Sequence, residues 1–313
     1  MRVFVAGATG AIGRALIPAL IAAGHDVVGM TTSQHGRETL RTAGADGIVA
    51  NALDALEVEA AVKKIRPDAV IDELTSLPRR YTPEEMRAAA ERDRTLRLEG
   101  GGNLQKAAVA AGARRYLVQS SGFFYAPGEG LATESEPLAV GASPAVAGSA
   151  RTYTQIEKRV LGAQGVEGVA LRYGFFYGPG TWFTEGGDIA QQVQARSYPV
   201  TEPGSGVWSW VHVADAAAAT VAALNAAPGI YNLVDDDPSP LSVWLPAFAT
   251  AIGAPPPPHV SEQEGLAAAG ADSVYYANKL RGASNAKATR ELGFAPRRLE
   301  WLGSQKKVSS GIG

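Results

Sequence analysis

Short β-branched or apolar runs alternate along the chain with longer stretches whose apolar residues recur three and four apart. The first kind reads as a buried strand and the second as an amphipathic helix. Residues 2–6 (RVFVA) give the first strand. A helix over 11–23 follows, closed by Gly24, and Pro18 inside it removes a backbone donor and predicts a bend. HDVVGM from His25 is a second strand, and a third lies near Ile48. DALEVEAAVKKIR is a helix with a polar face, and PDAVIDEL from Pro67 is a fourth strand. A long helical region covers 82–111, interrupted by Gly100, Gly101 and Gly102. ARRYLVQSS from Ala113 is a fifth strand, and a helix over 150–161 precedes the strand GVALRYG. Beyond Gly178 the pattern loosens. It leaves helices over 188–195 and 214–225, a strand GIYNLV from Gly229 and a stiff connector APPPPHV near Pro255. The last dozen residues lack periodicity and read as a disordered tail.

Strands alternating with helices predict an α/β fold, a parallel sheet with helices on both faces and the ligand at the carboxyl ends of the strands. Composition narrows the classes. With 313 residues and 46% hydrophobic content the chain can bury a sizeable core. The net charge of −2 comes without a basic tract, so nucleic acid is not an expected partner. The absence of cysteine removes disulfides, thiolate metal sites and thiol nucleophiles, and no metal site is expected. The N-terminal apolar run is too short for a signal peptide. No stretch reaches the roughly 20 apolar residues that span a bilayer. These features predict a soluble cytoplasmic protein without a membrane partner.

Gly7, Gly10 and Gly13 form GxxGxxG between the first strand and the first helix. Glycine there permits a tight turn, a close approach of backbone amides to a pyrophosphate, and close packing of helix on strand. Thr9, Ala11 and Ile12 complete the expected cradle of a nicotinamide dinucleotide. The second strand ends in Met30, Thr31, Thr32 and Ser33, with Arg37 nearby and no acid. An acid would accept from the ribose 2′-hydroxyl and favour NAD. Thr32, Ser33 and Arg37 suit a 2′-phosphate, so NADP is favoured over NAD. Leu74, Thr75, Ser120 and Tyr173, at later strand ends, are further expected cofactor contacts.

With these motifs and VANALDALEVEAAV, YLVQSSGFFY, GVALRYGFFYGPGTWF, WSWVHVADAAAAT and GASNAKATRELGFAP in order, the chain resembles the extended short-chain dehydrogenase/reductase superfamily, also called the NAD-dependent epimerase/dehydratase family. The resemblance runs from Met1 to about Pro296. It implies a Rossmann-type doubly wound parallel sheet over 1–178, joined by 206–233. It also implies a smaller C-terminal substrate-binding lobe from 179–205 and 234–300, with 301–313 as a tail. Mechanistically it implies a serine that hydrogen-bonds the reacting oxygen, a tyrosine that exchanges the proton, and a lysine that lowers the tyrosine pKa and holds the ribose.

Ser121 matches the serine, with Ser120 as the adjacent alternative. The tyrosine–lysine pair departs from YxxxK: SARTYTQIEKRVLG offers Tyr153 and Lys158, five residues and about 140° apart on a helix. A second alignment, on Glu157, puts Tyr153 at the lysine position and Ser149 at the tyrosine position. Tyr153 is the expected acid/base, Tyr125 the reserve, and Lys158 a solvated residue. The family's asparagine in the long helix falls at Arg97.

Aromatic residues gather at strand ends, and Phe123, Phe175, Phe176, Trp182 and Trp208 are expected to line an apolar or aromatic substrate site. Arg196 and Arg281 are the candidates for a nucleotide-sugar pyrophosphate. His212 reads as structural, and Asp235, Asp236 and Asp237 as solvated turn acids. The expected function is NAD(P)-dependent oxidoreductase or epimerase chemistry on a small apolar or aromatic carbonyl or alcohol. An NADP sensor or a non-redox isomerase or lyase is the alternative. The expected partner is a small-molecule substrate, and a homodimer is left open.

Overall fold

A computed structural model of the chain describes residues 1–303. The first half repeats strand and helix: β1 (Arg2–Ala6), α1 (Ala11–Ala22), β2 (Asp26–Thr31), α2 (Gln34–Thr42), β3 (Asp46–Val49), α3 (Ala55–Ile65), β4 (Ala69–Asp72) and α4 (Pro83–Thr95). A π turn, Leu96–Gly100, joins α4 to α5 (Gly101–Ala110), and β5 (Arg115–Ser121), α6 (Pro144–Leu161) and β6 (Glu167–Tyr173) follow. The later strands are β7 (Phe175–Tyr177), β8 (Val200–Thr201), β9 (Val207–Trp208), β10 (Trp210–His212), β11 (Gly229–Leu233), β12 (Ser239–Pro240) and β13 (His259–Val260). Among them lie α7 (Asp188–Gln194), α8 (Val213–Ala223) and α9 (Leu241–Ala251). The described chain ends in α10 (Glu262–Ala269), α11 (Ala271–Asn278), α12 (Ala286–Leu292) and α13 (Glu300–Gly303).

Seven strands form one parallel sheet in the order β11-β6-β5-β4-β1-β2-β3, the doubly wound Rossmann arrangement that the alternating pattern predicts. Alternation along each strand fills two layers. Phe4, Val28, Val70, Tyr116 and Val118 pack on one face with residues of α3, α5 and α6. Val3, Val5, Ile71, Leu117 and Leu171 pack on the other with α1 and α8. A third core, following the carboxyl ends of β5 and β6, holds Phe124, Phe175, Phe183, Trp208, Trp210, Trp244 and Phe248.

Several boundaries differ from expectation. Helix α6 begins at Pro144 rather than near Ala150, with Pro at its first turn, where its missing N–H costs nothing. The glycines at 100–102 do not interrupt the long helix. Gly100 packs against Ala52, and the space a Gly101 side chain would need is filled by Asp72 and Arg159. The connector near Pro255 runs into β13, which pairs with β8. Trp301, expected in a tail, is buried against Trp210 and Phe248, while 304–313 lie outside the described residues. Among the described residues no helix is long and apolar enough to cross a membrane.

Candidate active site

Ala6 pairs with Met30 on one side and Asp72 on the other, so the carboxyl ends of β1, β2 and β4 lie side by side. Gly7 follows β1 with φ 77°, and a Cβ there would sit on the Glu73 carbonyl oxygen. At Gly13 a Cβ would come within 2.5 Å of the Ala8 and Gly7 backbone, so glycine lets α1 press onto the turn. Gly10 differs. It is exposed, and a Cβ would meet only the Gly7 carbonyl oxygen, at 3.2 Å. Gly10 is the residue before α1, in extended conformation, and no side chain caps that helix. Its first-turn amides and positive end suit an anion. Thr9 and Ala11 are half-buried beside it, and Ile12 packs inward, leaving only its amide for a ligand. This turn fits a dinucleotide pyrophosphate.

Thr32 and Ser33 are exposed past β2, and Ser33 Oγ caps α2 by accepting from the Gly36 amide at 3.0 Å. Arg37 packs its Cγ against Gly47 of β3, where a side chain would collide. Its buried Nε has no hydrogen-bond partner among the described residues, a costly state for a charged donor. Past β4, Leu74 is buried and Thr75 half-buried. Glu73 beside them is buried, and desolvation pushes its carboxyl up to about 8. Tyr173, expected at the cofactor, faces the α1–α8 layer instead. Its hydroxyl lies 2.9 Å from Glu73 and 2.6 Å from Thr220, because strand alternation turns it into that core.

Two other expected site residues belong to a buried polar network. Ser120 donates to Glu157 at 2.6 Å. Arg172 holds both Glu157 oxygens at 2.7 Å and donates to the Tyr125 hydroxyl at 2.8 Å, and Tyr125 donates to Asn232 at 2.6 Å. The network ties α6 to β5, β6 and β11. Tyr125 is fully buried and pushed up to about 12 by desolvation, so it is a structural hydroxyl and not a reserve acid. Ser121 remains at the end of β5, its Oγ accepting from the Phe123 amide at 3.5 Å.

On α6, Tyr153 and Glu157 share a face while Lys158 is exposed. No lysine among the described residues faces Tyr153. Burial raises the Tyr153 pKa, opposed by Arg97, whose guanidinium lies 5.1 Å from the ring centroid. Arg97 sits in the π turn, is 5% exposed, and donates through Nε to Asp93 at 2.7 Å.

From Tyr153 an aromatic wall runs outward. Its ring is 6.0 Å from Phe124, Phe124 is 4.6 Å from Phe123, Phe123 stacks on Phe175 at 3.9 Å, and Phe175 stacks on Trp208 at 4.1 Å. Trp208 is almost fully buried, its indole donating to the Tyr276 carbonyl, so it backs the wall rather than lining it. Phe176 points the other way, against Tyr173, as the neighbour of Phe175 in a strand must. Trp182 covers Tyr81 at 4.8 Å and donates to the Arg79 carbonyl. The reading from sequence missed Tyr81 and Tyr276. The phenols of Tyr81, Tyr153 and Tyr198 lie within electrostatic reach of Tyr276, but no motif marks these positions.

Outside this cluster, His212 caps α8 by accepting from the Ala214 amide at 3.1 Å, a structural role. Asp235 is buried, accepts from the Trp210 amide at 3.3 Å and is raised to about 8, so it is not a solvated turn acid. Arg281 is taken up by Glu136 and by the carbonyls of Glu129 and Gly130, and Arg196 is exposed. Neither faces the aromatic wall.

The NAD dependent epimerase/dehydratase family profile matches residues 3–233. The chain belongs to this family. The assignment agrees with the pyrophosphate cradle and makes the protein one of a group of nicotinamide-dependent enzymes. A "3-diazoavenalumate denitrifying reductase" of Streptomyces is 39% identical over 305 residues, covering 96% of this chain and 98% of that protein. Among solved structures, the UDP-glucose 4-epimerase of Thermus thermophilus in complex with NAD is 24% identical with a TM-score of 0.75, covering both chains fully. The dTDP-glucose 4,6-dehydratase of Streptomyces venezuelae, also with NAD bound, is 19% identical with a TM-score of 0.75, covering 99% of this chain and 96% of that one. At those identities the two structures establish the shared fold.

Proposed function

We propose that this protein is an NADPH-dependent reductase of an aromatic diazo compound, replacing the nitrogen group with hydrogen. The observation that carries the reading is the missing tyrosine–lysine pair: Lys158 faces solvent, and Tyr153 is a half-buried tyrosine whose pKa desolvation raises with no lysine beside it. Reduction of a carbonyl leaves an alkoxide that must be protonated, and general acids supply that step. Loss of dinitrogen requires no such acid. In an arene diazonium the C–N bond breaks and its electron pair leaves with dinitrogen. A hydride supplies both electrons of the new C–H bond, so no net proton is taken up. The reduced nicotinamide cofactor, when bound, supplies that hydride. The diazo class comes from the name of the Streptomyces relative, and the aromatic class from the wall of Phe123, Phe124, Phe175 and Tyr276.

In this reading the glycine turn holds the pyrophosphate. Tyr153 and Ser121 orient the ring and its leaving group without titrating. The spare donors of Arg37 and the hydroxyls of Thr32 and Ser33 favour NADP. Arg281, tied to the 129–136 loop, is withdrawn from any nucleotide-sugar role. Dependence on NADPH fits a cytoplasmic setting. The test is incubation of the purified protein with an aryldiazonium salt and with the matching aryl aldehyde, each with cofactor deuterated at its transferable position. Deuterium on the ring carbon that carried nitrogen, with release of dinitrogen, is the expected outcome. Reduction of the aldehyde with the diazonium left untouched would overturn the proposal.

A further inference from the structure

We propose that Arg97 is a cofactor-positioning residue, donating to the ribose oxygens on the nicotinamide side of the bound dinucleotide. The guanidinium is buried, yet only Nε is paired, to Asp93 at 2.7 Å. Neither terminal nitrogen has a hydrogen-bond partner among the described residues. Neither terminal nitrogen is among the buried atoms left without a partner, so both reach solvent and are open to a ligand's acceptors. Its place points to the cofactor. Arg97 lies within electrostatic reach of Asp72 and Glu73 at the end of β4, and the Glu73 backbone abuts Gly7 of the pyrophosphate turn. A dinucleotide leaving that turn toward Ser121 on β5 must cross the end of β4. Tyr153 neighbours both the Arg97 guanidinium, 5.1 Å from its ring centroid, and Phe124 at the start of the aromatic wall, 6.0 Å away.

The device is built by the chain around it. The π turn over Leu96–Gly100 resets the helical register at this residue. Asp93 fixes the guanidinium through Nε and also accepts from the Ser76 amide at 2.5 Å, joining α4 to the loop after β4. The planar fork then presents two parallel donors, a match for two adjacent oxygens. No lysine of α6 competes for the position, because Lys158 is exposed.

This inference rests on dinucleotide binding at the glycine turn and not on the diazo substrate. The readout is therefore cofactor affinity in the absence of substrate, from the emission of bound NADPH. Arg97→Met should weaken NADPH about 10- to 100-fold, the cost of losing charge-assisted hydrogen bonds. The substrate KM at saturating cofactor should stay within about 3-fold. Arg97→Lys should recover part of the affinity, and Asp93→Asn, which keeps the cation, should lose less than Arg97→Met. Unchanged NADPH affinity in a folded Arg97→Met protein would overturn the inference. So would a loss confined to the substrate KM, which would make Arg97 a substrate anchor. If Arg97→Met fails to fold, Arg97→Gln, which keeps a donor for Asp93, is read by the same criteria. Failure of wild-type protein to bind any nicotinamide dinucleotide would instead strike the glycine-turn reading.

Discussion

Glu73 should make the protein lose stability as pH rises, and Glu73→Gln should remove that loss. The hydrogen inventory of its surroundings shows why. Thr220 spends its hydroxyl hydrogen on the Ala216 carbonyl at 2.7 Å. Tyr173 then has one hydrogen for two close neighbours, Thr220 at 2.6 Å and Glu73 at 2.9 Å. The chain closes if Glu73 is protonated and donates to Tyr173, which donates to Thr220. Burial supports this by raising the carboxyl from 4.5 to about 8. The folded state therefore holds a proton that the unfolded state releases near its ordinary pKa. The associated stability is complete below about 4.5 and is lost as pH rises toward and through about 8. At about 1.4 kcal/mol per unit the full span is on the order of 4–5 kcal/mol. The glutamine of the variant can donate an amide hydrogen to Tyr173 at every pH. Urea unfolding of both proteins from about pH 5 to about pH 9 brackets the folded-state value and measures the difference. Subtracting the profiles cancels other titrating groups such as Asp235. Parallel profiles, or a wild type that gains on the variant as pH rises, would refute the reasoning.

Other outcomes follow from the same geometry. Gly10→Asp should abolish cofactor binding in a folded protein, because its exposed carboxylate, crowded only by the Gly7 carbonyl oxygen, would stand before the uncapped α1 terminus; calorimetric titration with NADP and NAD measures this. Arg37→Ala should weaken NADP by roughly 1.5–3 kcal/mol and NAD by less, and equal losses would remove the 2′-phosphate assignment. Arg172→Met should destabilise the fold by about 3–5 kcal/mol in chemical unfolding, since Glu157 would stay buried without its partner. Tyr153→Phe should change the rate of dinitrogen release less than about 3-fold. A general acid would lose on the order of 10²-fold or more, so a loss of that size would restore Tyr153 as the proton donor.

Much of the sheet and the glycine turn can be read from the sequence because both depend on local rules. A strand run, a glycine at positive φ and a helix that must approach closely leave signals within a short stretch of chain. The third core leaves none. Phe124, Phe175, Trp244 and Trp301 are far apart in sequence and meet only through the fold, so the late helices and the packing of Trp301 escape any windowed reading. Some errors had a visible remedy. Phe175 and Phe176 are consecutive strand positions and must face opposite sides, which excludes placing both in one pocket. Tyr125 and Ser120 had no such remedy: whether a residue at a strand end meets the cleft or a buried arginine depends on the partner strand. Arg97 was visible only as a departure from pattern, since the π turn that orients it has no sequence signature here.

The retained and the altered parts of this site obey different physics, and that difference bears on the reaction. The cradle is steric: Gly7 and Gly13 tolerate no Cβ, and Gly10 leaves room for an anion. At Gly10 only the Gly7 carbonyl oxygen, 3.2 Å away, crowds the position of a Cβ, so packing constrains this glycine less than Gly7 or Gly13. The acid/base positions are electrostatic, and there, in the proposed reading, the chain departs from proton exchange. Tyr153 is raised by burial, Tyr125 is spent on Asn232, and Glu73 is engaged by Tyr173. Ser121 keeps a hydroxyl that can orient a substrate but is a poor acid near neutrality. In the proposed reading hydride delivery needs only the cradle, while protonation of an alkoxide would fall to Tyr153 without the family's lysine. A carbonyl reductase with this arrangement would lack help at the step that the family's lysine ordinarily assists. A substrate that expels dinitrogen never reaches that step, because its leaving group carries the electron pair away without a proton.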